Sequence, residues 1–303
     1  MCSESPTRIA VTVVVPVLAD VRLTRLLESL AKQTASRKSY EVIVVENGSS
    51  VCEEIATSHG ARYLWLPYGN MYAARNAGLR ESKGEYILST DSDCIVAPNW
   101  IEAYIDYFRA HPEIAALGGP VERYKPETPV QKFGANLVAG QQSLNYLLPI
   151  MPLPYVVTAN CAYIRCALVQ VGGYDDDLIS GGDVDVCYKL GLAGYKLAIC
   201  PNAVVYHDNR LTVGSHFRRF FNYSRCQALL FKKYRSKSGR MISVNPYPYQ
   251  CVFKGLGRIV SALFASSKKR SGLIWTGYLT IIEGIAVLIG DAVGAWEYRV
   301  PYI

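Results

Sequence analysis

The sequence lacks the cysteine spacing that would support a disulfide framework or a structural zinc site. Its 303 residues include nine cysteines, an odd number, scattered without a Cys-x-x-Cys pair or a Cys/His cluster. This pattern favours reduced, mostly buried thiols in a cytoplasmic protein. The first ten residues, MCSESPTRIA, also lack a basic start followed by an apolar block, so we expect no secretory signal.

Acidic residues are scarce in the last third of the chain. From Pro201 onward there are 15 Lys and Arg residues against 4 Asp and Glu, whereas the first 200 residues contain 17 and 21. A basic region of this kind predicts an anionic partner, such as nucleic acid, a membrane surface or a phosphate-bearing substrate. Nucleic acid is the least favoured, because no recognisable nucleic-acid-binding module accompanies the charge. A solvated basic face on packed helices is the structural alternative.

The first 90 residues alternate between short apolar runs and amphipathic segments. The pattern predicts strands at 11–15, 42–45, 61–67 and 86–90, and helices at 21–34, 52–60 and 71–84. This order is typical of an α/β fold in which helices flank a mixed, mostly parallel sheet. Ligands bind beyond the carboxyl ends of such strands, where Pro16, Glu46 and Asp91 stand.

The C-terminal part has a different composition. We therefore divide the chain into an α/β domain at 1–210 and a basic, apolar helical region at 211–303. The stretch 273–289 is long enough to suggest a transmembrane helix, but it contains Glu283, and a carboxylate near the centre of a span costs roughly 3 kcal/mol. Four glycines within 277–294 predict close helix packing. We favour a helical hairpin that packs on the domain or lies at a membrane interface, with a membrane span as the alternative.

Two carboxylates follow the fourth predicted strand, in the segment ILSTDSDCIV. Asp91 and Asp93 would stand at the ligand-binding edge of the sheet, where hard oxygen donors suit Mg²⁺ or Mn²⁺ bridging phosphates. A solvated turn or a helix N-cap is the alternative for so short a match. The position after an apolar strand makes the metal-binding interpretation the stronger one.

Three further residues could carry chemistry. Asp183 stands at the start of a predicted helix, where it would act as a general base or only cap the helix. Arg75 could contact phosphate or ribose, or lie on an exposed helix face. His207 ends a predicted strand, where a structural role is commoner, but it would be a plausible ligand for a metal ion nearby.

Six segments, in order along the chain, resemble the motifs of inverting family 2 glycosyltransferases with the GT-A fold. They are VVVPVLAD, VIVVENGSS, AARNAG, LSTDSDC, YVVTANCAYIR and GGYDDDLISGGDVDVCYKLGLAGYKL. Together they cover roughly residues 9–208, about two-thirds of the chain. The resemblance implies a metal-dependent enzyme that moves a single sugar from a nucleotide-sugar donor to an acceptor hydroxyl with inversion.

The resemblance also implies roles for individual residues. The nucleotide pocket would be lined by Pro16, Val17, Glu46, Arg75, Asp91 and Ser92. Asp93 and His207 would hold Mn²⁺ or Mg²⁺, and Asp183 would be the catalytic base. Asn160 and Asp185 would face the acceptor or the sugar. A UDP-sugar is the favoured donor, with GDP- and dTDP-sugars as alternatives, and the acceptor would be a glycan, a lipid-linked molecule or a small molecule.

The chain departs from the family pattern at two positions. Leu18-Ala19 replaces the Tyr-Asn that often follows the first Pro-Val, and Gly182 replaces the usual Glu before the catalytic Asp. There is also no Gln-x-x-Arg-Trp element and no multi-span membrane bundle, so a single-transfer enzyme is favoured over a processive synthase. We expect a cytoplasmic protein, either free or peripheral on the cytoplasmic face of the membrane.

Three alternative functions stay open. A sugar-nucleotide nucleotidyltransferase also uses a Rossmann-like sheet and metal-binding carboxylates, but it would need a Gly-rich basic loop that PVLADVRL does not provide. A non-catalytic sugar-nucleotide-binding protein is kept open by the missing Glu at Gly182. A retaining transferase on the same fold would differ in the stereochemistry of its product.

Overall fold

A mixed β-sheet forms the centre of the fold. The computed structural model describes residues 9–135, 143–147, 149–208 and 212–302. The strands of these residues are β1 (Val11–Val17), β2 (Tyr40–Asn47), β3 (Arg62–Leu66), β4 (Tyr86–Thr90), β5 (Cys94–Val96), β6 (Ile114–Gly118), β7 (Val121–Arg123), β8 (Asn145–Leu147), β9 (Met151–Tyr155), β10 (Asn160–Ile164), β11 (Lys196–Ile199) and β12 (Val205–His207). The central sheet has the order β11-β6-β10-β4-β1-β2-β3. Only β10 runs antiparallel to its neighbours within it, which confirms the predicted mixed, mostly parallel sheet.

Helices cover both faces of the sheet. The helices of the described residues are α1 (Leu23–Ala31), α2 (Glu53–Ser58), α3 (Met71–Glu81), α4 (Trp100–Ala110), α5 (Pro129–Ala135), α6 (Arg165–Gln170), α7 (Gly182–Leu192), α8 (Val213–Ser238), α9 (Tyr247–Leu263) and α10 (Ser267–Tyr298). Successive side chains of a strand point to opposite faces, so Val13 and Val15 join the core beneath α1 and α4. Val14 joins the opposite core, with residues of α3 and α7.

The carboxyl ends of β1, β2 and β4 meet at one edge of the sheet because these strands are parallel. Pro16 pairs with Val45, and Val17 pairs with Glu46. Pro16 and Glu46 thus belong to the last residues of their strands, whereas the sequence pattern had predicted them just beyond. Strand pairing continues one or two residues further than the apolar runs, because both residues stay buried between neighbouring elements.

A small second sheet extends this edge. Within it β12 pairs antiparallel with β5 and parallel with β7. The register sets His207 opposite Cys94, the residue after Asp93. A residue more than 110 positions away along the sequence is thereby brought to the Asp91-Ser92-Asp93 turn.

The last three helices, α8 to α10, pack on one another and on the sheet. Helix α9 begins at Tyr247, and Pro248 is compatible with the first turn of a helix. The predicted domain boundary at 210/211 lies outside the described residues. Leu230 and Phe231 of α8 share a core cluster with strands β1 and β2, so the helices lie on the α/β unit itself.

Helix α10 packs closely at its glycines and buries two of its three carboxylates, Glu283 and Asp291. A Cβ at Gly277 would lie 2.7 Å from the Gly255 carbonyl oxygen of α9, so only glycine permits this approach. Glu283 is 2% exposed and accepts a hydrogen bond from the Tyr247 hydroxyl, and Asp291 is likewise buried. Among the described helices, α10 alone is long and apolar enough to cross a membrane.

Candidate active site

Asp93 and His207 lie side by side at the edge of the sheet. The Asp93 Oδ1 and His207 Nε2 atoms are 3.1 Å apart, and Arg22 Nη1 lies 3.5 Å from Asp93 Oδ2. Burial acts to raise the pKa of Asp93, but the hydrogen bond and charge of His207 and the charge of Arg22 hold it below its ordinary value. Asp93 is therefore ready to act as a carboxylate ligand.

The donor set at this position fits a divalent cation. Two ligands held about 2.1 Å from one octahedral ion lie about 3 Å apart, which matches the Asp93–His207 separation. Both side chains are partly exposed toward the cleft. Cys94 is the third member of this group, but burial raises the pKa of its thiol well above the ordinary range, so it would not act as a thiolate. Carboxylate oxygen with imidazole nitrogen suits Mn²⁺ at least as well as Mg²⁺.

Arg75 is buried beneath the first carboxylate of the turn rather than exposed on its helix. Its Nη2 lies 2.6 Å from Asp91 Oδ1, and its Nε donates to Ser89 Oγ at 3.1 Å. Asn70 fixes the start of α3 by accepting hydrogen bonds from the amides of Tyr72 and Ala73. The helix thus presents a fixed guanidinium under the edge of the sheet, and Asp91 is oriented by it.

The other predicted nucleotide residues line the same edge. Glu46 accepts hydrogen bonds from the Cys52 amide at 2.9 Å and the Tyr63 hydroxyl at 2.9 Å. Burial would raise the pKa of Glu46, but these hydrogen bonds hold it below its ordinary value. Pro16 and Val17 form the buried end of β1, and Ser92 donates to Asp20 Oδ2 at 3.3 Å.

Asp183 stands in the first turn of α7 and faces aromatic side chains. The helix starts from Gly181 in the left-handed conformation (φ 76°) without a side-chain cap, and Asp183, inside the first turn, accepts from the Val184 amide at 2.9 Å. Burial raises the pKa of Asp183, and the amide of Val184 and the charge of Arg75 only partly offset it. Its charge in turn raises the pKa of the Tyr72, Tyr155 and Tyr223 hydroxyls, after the larger effect of their own burial.

The ring of Tyr72 occupies the space where a side chain at position 182 would start. A Cβ built on Gly182 would lie 2.5–2.7 Å from the Cε1, Cδ1 and Cζ atoms of Tyr72. Such contacts are too short for a folded protein, so any larger residue requires the ring to move. Gly182, the chief departure from the family pattern, is thus matched to a tyrosine on α3.

Two predicted acceptor residues have structural roles instead. The Asn160 side chain is fully buried, accepts from Trp100 Nε1 at 2.8 Å and donates to the Ala203 carbonyl at 2.7 Å. Asp185 is also fully buried, and its Oδ1 lies 2.7 Å from the Tyr234 hydroxyl and 2.6 Å from Lys233 Nζ. Residues two positions apart on a helix point about 200° apart around its axis, so Asp185 points away from the face that carries Asp183. We therefore correct both assignments.

Sequence reasoning missed several residues of the cleft. Asp20 binds the Arg22 guanidinium through two contacts of 2.8–2.9 Å and so holds it toward Asp93. Tyr223 on α8 lies near both Asp91 and Asp183, and Arg219 lies near His207, where its charge, like burial, only partly opposes the rise in pKa caused by Asp93. A polar segment following a buried strand was the available signal for Asp20 and Arg22. No local pattern marks Tyr223.

Comparison of the sequence with models of known protein families identifies the family of this chain. The model of the family described as Glycosyl transferase family 2 matches residues 12–170, more than half of the chain. The chain belongs to glycosyl transferase family 2. This confirms the resemblance seen in the sequence motifs, and family membership sets the nucleotidyltransferase alternative aside.

One relative is the pre-mycofactocin glycosyltransferase of Mycobacterium tuberculosis, which is 30% identical over 276 residues. The match covers 86% of this chain and 57% of that relative, so the chain spans little more than half the relative's length.

Solved structures of the same fold are more distant in sequence. A mannosyltransferase of Pyrobaculum calidifontis, in complex with GDP-Man and Mn²⁺, has a TM-score of 0.55 at 20% identity and covers 98% of this chain and 77% of its own. S. aureus TarS 1-349 in complex with UDP has a TM-score of 0.51 at 16% identity and covers 96% of this chain and 92% of its own. Together with the family match, these similarities confirm the predicted GT-A fold.

Proposed function

We propose that this family 2 protein transfers a single sugar from a nucleotide-sugar donor to an acceptor hydroxyl with inversion, using Asp183 as the base. One observation carries the proposal. Arg75 pairs with Asp91 at 2.6 Å, and its charge also acts on the pKa of Asp183, so the carboxylates of the Asp-x-Asp turn and of α7 border one cleft. Tyr223, near both acids, lies between them.

The edge of the sheet supplies the leaving-group side of the reaction. Breaking a glycosyl-phosphate bond develops negative charge on the leaving diphosphate. A divalent cation on Asp93 and His207 would supply Lewis-acid stabilisation of that charge. Arg22, held by Asp20 and 3.5 Å from Asp93, would donate to the same phosphates. Pro16, Val17, Glu46, Arg75, Asp91 and Ser92 would then line the pocket for base and ribose.

Asp183 supplies the other half of the chemistry. An acceptor hydroxyl is a poor nucleophile at neutral pH and needs a base as it attacks the anomeric carbon. Burial raises the pKa of Asp183, which makes its carboxylate a stronger base toward an acceptor hydroxyl. One displacement from the face opposite the diphosphate inverts the anomeric centre, and the proton passes to the Asp183 carboxylate.

The donor and the metal follow from the relatives by analogy. Structural relatives of the same fold bind GDP-Man with Mn²⁺ and UDP, so we propose a UDP- or GDP-sugar as donor and Mn²⁺ or Mg²⁺ as cofactor. A UDP-sugar stays the favoured donor, with a dTDP-sugar as a further alternative. A glycan, a lipid-linked molecule or a small molecule would serve as acceptor. The aromatic side chains around Asp183 would suit contact with such an acceptor.

The test is the variant Asp183→Asn, which keeps the shape of the side chain but removes the base. We expect sugar transfer to fall by about 100- to 10,000-fold, the range for loss of a general base. Donor binding should change less than twofold, because Asp183 lies on the acceptor side. Initial rates of transfer and calorimetric titration with the donor measure the two effects separately, and the product's anomeric configuration tests inversion.

Asp106→Asn on the exposed face of α4 is the matched control, since it makes the same change of charge far from the cleft. Its rate should equal that of the unmodified protein. An equal loss of transfer and donor binding in Asp183→Asn would contradict the assignment of the base. Tight donor binding without any transfer by the unmodified protein would instead favour the non-catalytic alternative.

A further inference from the structure

Helix α9 exposes its largest apolar side chains. Its exposed apolar residues are Tyr249, Phe253, Leu256, Val260 and Leu263, and their spacing of four, three, four and three residues places them on one face. Phe253 is 74% exposed, Leu263 is 71% exposed, and the adjoining Phe264 is 87% exposed. We call this stripe, together with Phe264, the α9 face.

The fully buried residues of α9 are small instead, with the half-buried Val252 and Ile259 beside them against α10. Pro248, Cys251, Gly255 and Ala262 face inward, and Gly255 allows backbone contact with Gly277 of α10. A helix on the surface of a water-soluble protein normally turns its large apolar residues inward. The reversed arrangement indicates that the α9 face meets an apolar environment other than the core of this chain.

The charges around the α9 face are all positive. Residues 209–282 contain no Asp or Glu at all. Lys254 and Arg258 flank the stripe, and Lys268, Lys269 and Arg270 follow the turn into α10. Exposed Trp275 and Tyr278 of α10 stand beyond them. Large apolar side chains, aromatic rings and basic residues without acids form the combination that binds the interface of an anionic bilayer.

We propose that the α9 face docks this protein on anionic membranes as a peripheral element. Charge complementarity decides the occupant, because an acid-free basic rim matches a bilayer of anionic lipids. Insertion of α10 as a membrane span does not fit, because α10 packs along α8, which carries seven Lys and Arg residues and would enter the hydrocarbon with it. Glu283 and Asp291 are buried, Glu283 accepts from the Tyr247 hydroxyl and Asp291 accepts from the Asn245 amide, which agrees with packing of α10 inside the protein.

Vesicle flotation with the full chain tests the proposal. Phosphatidylcholine vesicles with and without 30 mol% phosphatidylserine, about the anionic content of a cytoplasmic leaflet, serve as probes. The protein should float with the anionic vesicles and not with the neutral ones. The variant Phe253→Ser/Leu263→Ser/Phe264→Ser should lose at least tenfold in partition coefficient, and Lys268→Gln/Lys269→Gln/Arg270→Gln about 100-fold.

Matched controls separate the α9 face from general surface effects. Val169→Ser removes an apolar side chain that is 52% exposed on α6, and Lys32→Gln/Lys38→Gln/Lys196→Gln removes three exposed charges elsewhere. Both should float like the unmodified protein. Circular dichroism and thermal unfolding check that the α9 variants fold, since their changes are all on the surface.

Several outcomes would overturn the proposal. Failure of the protein to float with any vesicles, or equally good flotation with neutral ones, would contradict docking on anionic lipid. Retention in the membrane after alkaline carbonate extraction would show integral insertion instead. A dimer that becomes a monomer in the Phe253→Ser/Leu263→Ser/Phe264→Ser variant, measured by light scattering, would make this face a contact between copies of the chain. Flotation measures no sugar transfer, so its result is independent of the proposed function.

Discussion

Asp93 and Asp183 are the same residue type on opposite sides of one cleft, yet their surroundings shift their pKa values in opposite directions. Burial acts to raise the pKa of both carboxyls. At Asp93 the charges of His207 and Arg22 overcome burial and lower the pKa. At Asp183 the hydrogen bonds from the Val184 and Thr158 backbone and the charge of Arg75 do not overcome burial, so the pKa stays raised.

The difference shows how one fold prepares two kinds of chemistry. On the proposed donor side, defined by Asp91, Asp93 and His207 with Arg22 and Arg75, charges are paired in advance and would suit a cation and a diphosphate. On the proposed acceptor side, defined by Tyr72, Tyr155, Asp183 and Tyr223, a buried carboxylate with a raised pKa would suit a base. The predictions below test each side separately.

Beside Asp183→Asn, the largest effect is expected from Asp93→Asn on the proposed donor side. Removing the ligand charge should lower sugar transfer by about 100- to 1000-fold, the range for losing one preorganised electrostatic contact. Donor binding should weaken as well, unlike in Asp183→Asn. Thermal-shift measurements with UDP-, GDP- and dTDP-sugars, each with Mn²⁺ and with EDTA, show both the preferred nucleotide and the metal dependence.

The unmodified protein should show a donor-induced shift in Mn²⁺ that EDTA removes, and Asp93→Asn should show little shift in either. Asp106→Asn again makes the matched change of charge. A donor-induced shift that EDTA leaves unchanged would exclude a metal-dependent donor site, whatever the activity of Asp93→Asn.

A smaller effect is expected on the acceptor side, from Gly182→Ala. The new Cβ would lie 2.5–2.7 Å from the Tyr72 ring, so the ring or the start of α7 must move. Overpacking of this kind should lower the free energy of unfolding by about 1–3 kcal/mol. A displaced Asp183 should lower the transfer rate by up to about 100-fold, with donor affinity nearly unchanged.

A double-mutant cycle identifies the cause. Adding Tyr72→Leu to Gly182→Ala should restore part of the lost stability, because the shorter side chain frees the space. Gly257→Ala on α9 is the control, since a Cβ there meets nothing within 4 Å and a helical alanine should stabilise by up to about 1 kcal/mol. Strict additivity of the two changes would show that the clash with Tyr72 is not the cause.

The smallest effect is expected from Ala19→Asn in the loop after β1. Ala19 has φ 48°, in the left-handed region that costs an ordinary residue about 1 kcal/mol and that asparagine tolerates better. The substitution restores the Asn of the family pattern and should raise the free energy of unfolding by about 0.5–1 kcal/mol. Urea unfolding measures it, and Ala19→Val should shift stability the other way. Equal stability of all three proteins would contradict the expected strain.

Much of the fold could be predicted from the sequence, because local patterns encode it. The valine runs of β1 and β2 and the leucines of α1 specify buried strands and a helix at short range. The parallel order then follows, and with it the position of Asp91 and Asp93 at the ligand edge. A helix over about 184–193 was also predictable and is observed at Gly182–Leu192, and the hairpin of α9 and α10 was predictable too.

Neighbours distant in sequence could not be predicted. Asn160 was expected to face the acceptor, but Trp100 and Tyr104 of α4 enclose its side chain at 2.8 and 2.7 Å. Asp185 was likewise expected to face the acceptor or the sugar, but Lys233 and Tyr234 of α8 pair with it. Both corrections involve contacts across more than 45 residues, which no short motif records.

The sequence by itself determined the elements, the family motifs and the edge of the sheet where the carboxylates stand, because hydrophobic periodicity and short motifs are local properties. Only the tertiary structure decided which carboxylate faces the cleft, in which direction each pKa shifts, why position 182 is glycine and which face of α9 is turned outward. Burial, electrostatic neighbours and close packing decide these properties, and each depends on side chains that folding brings together from distant parts of the chain.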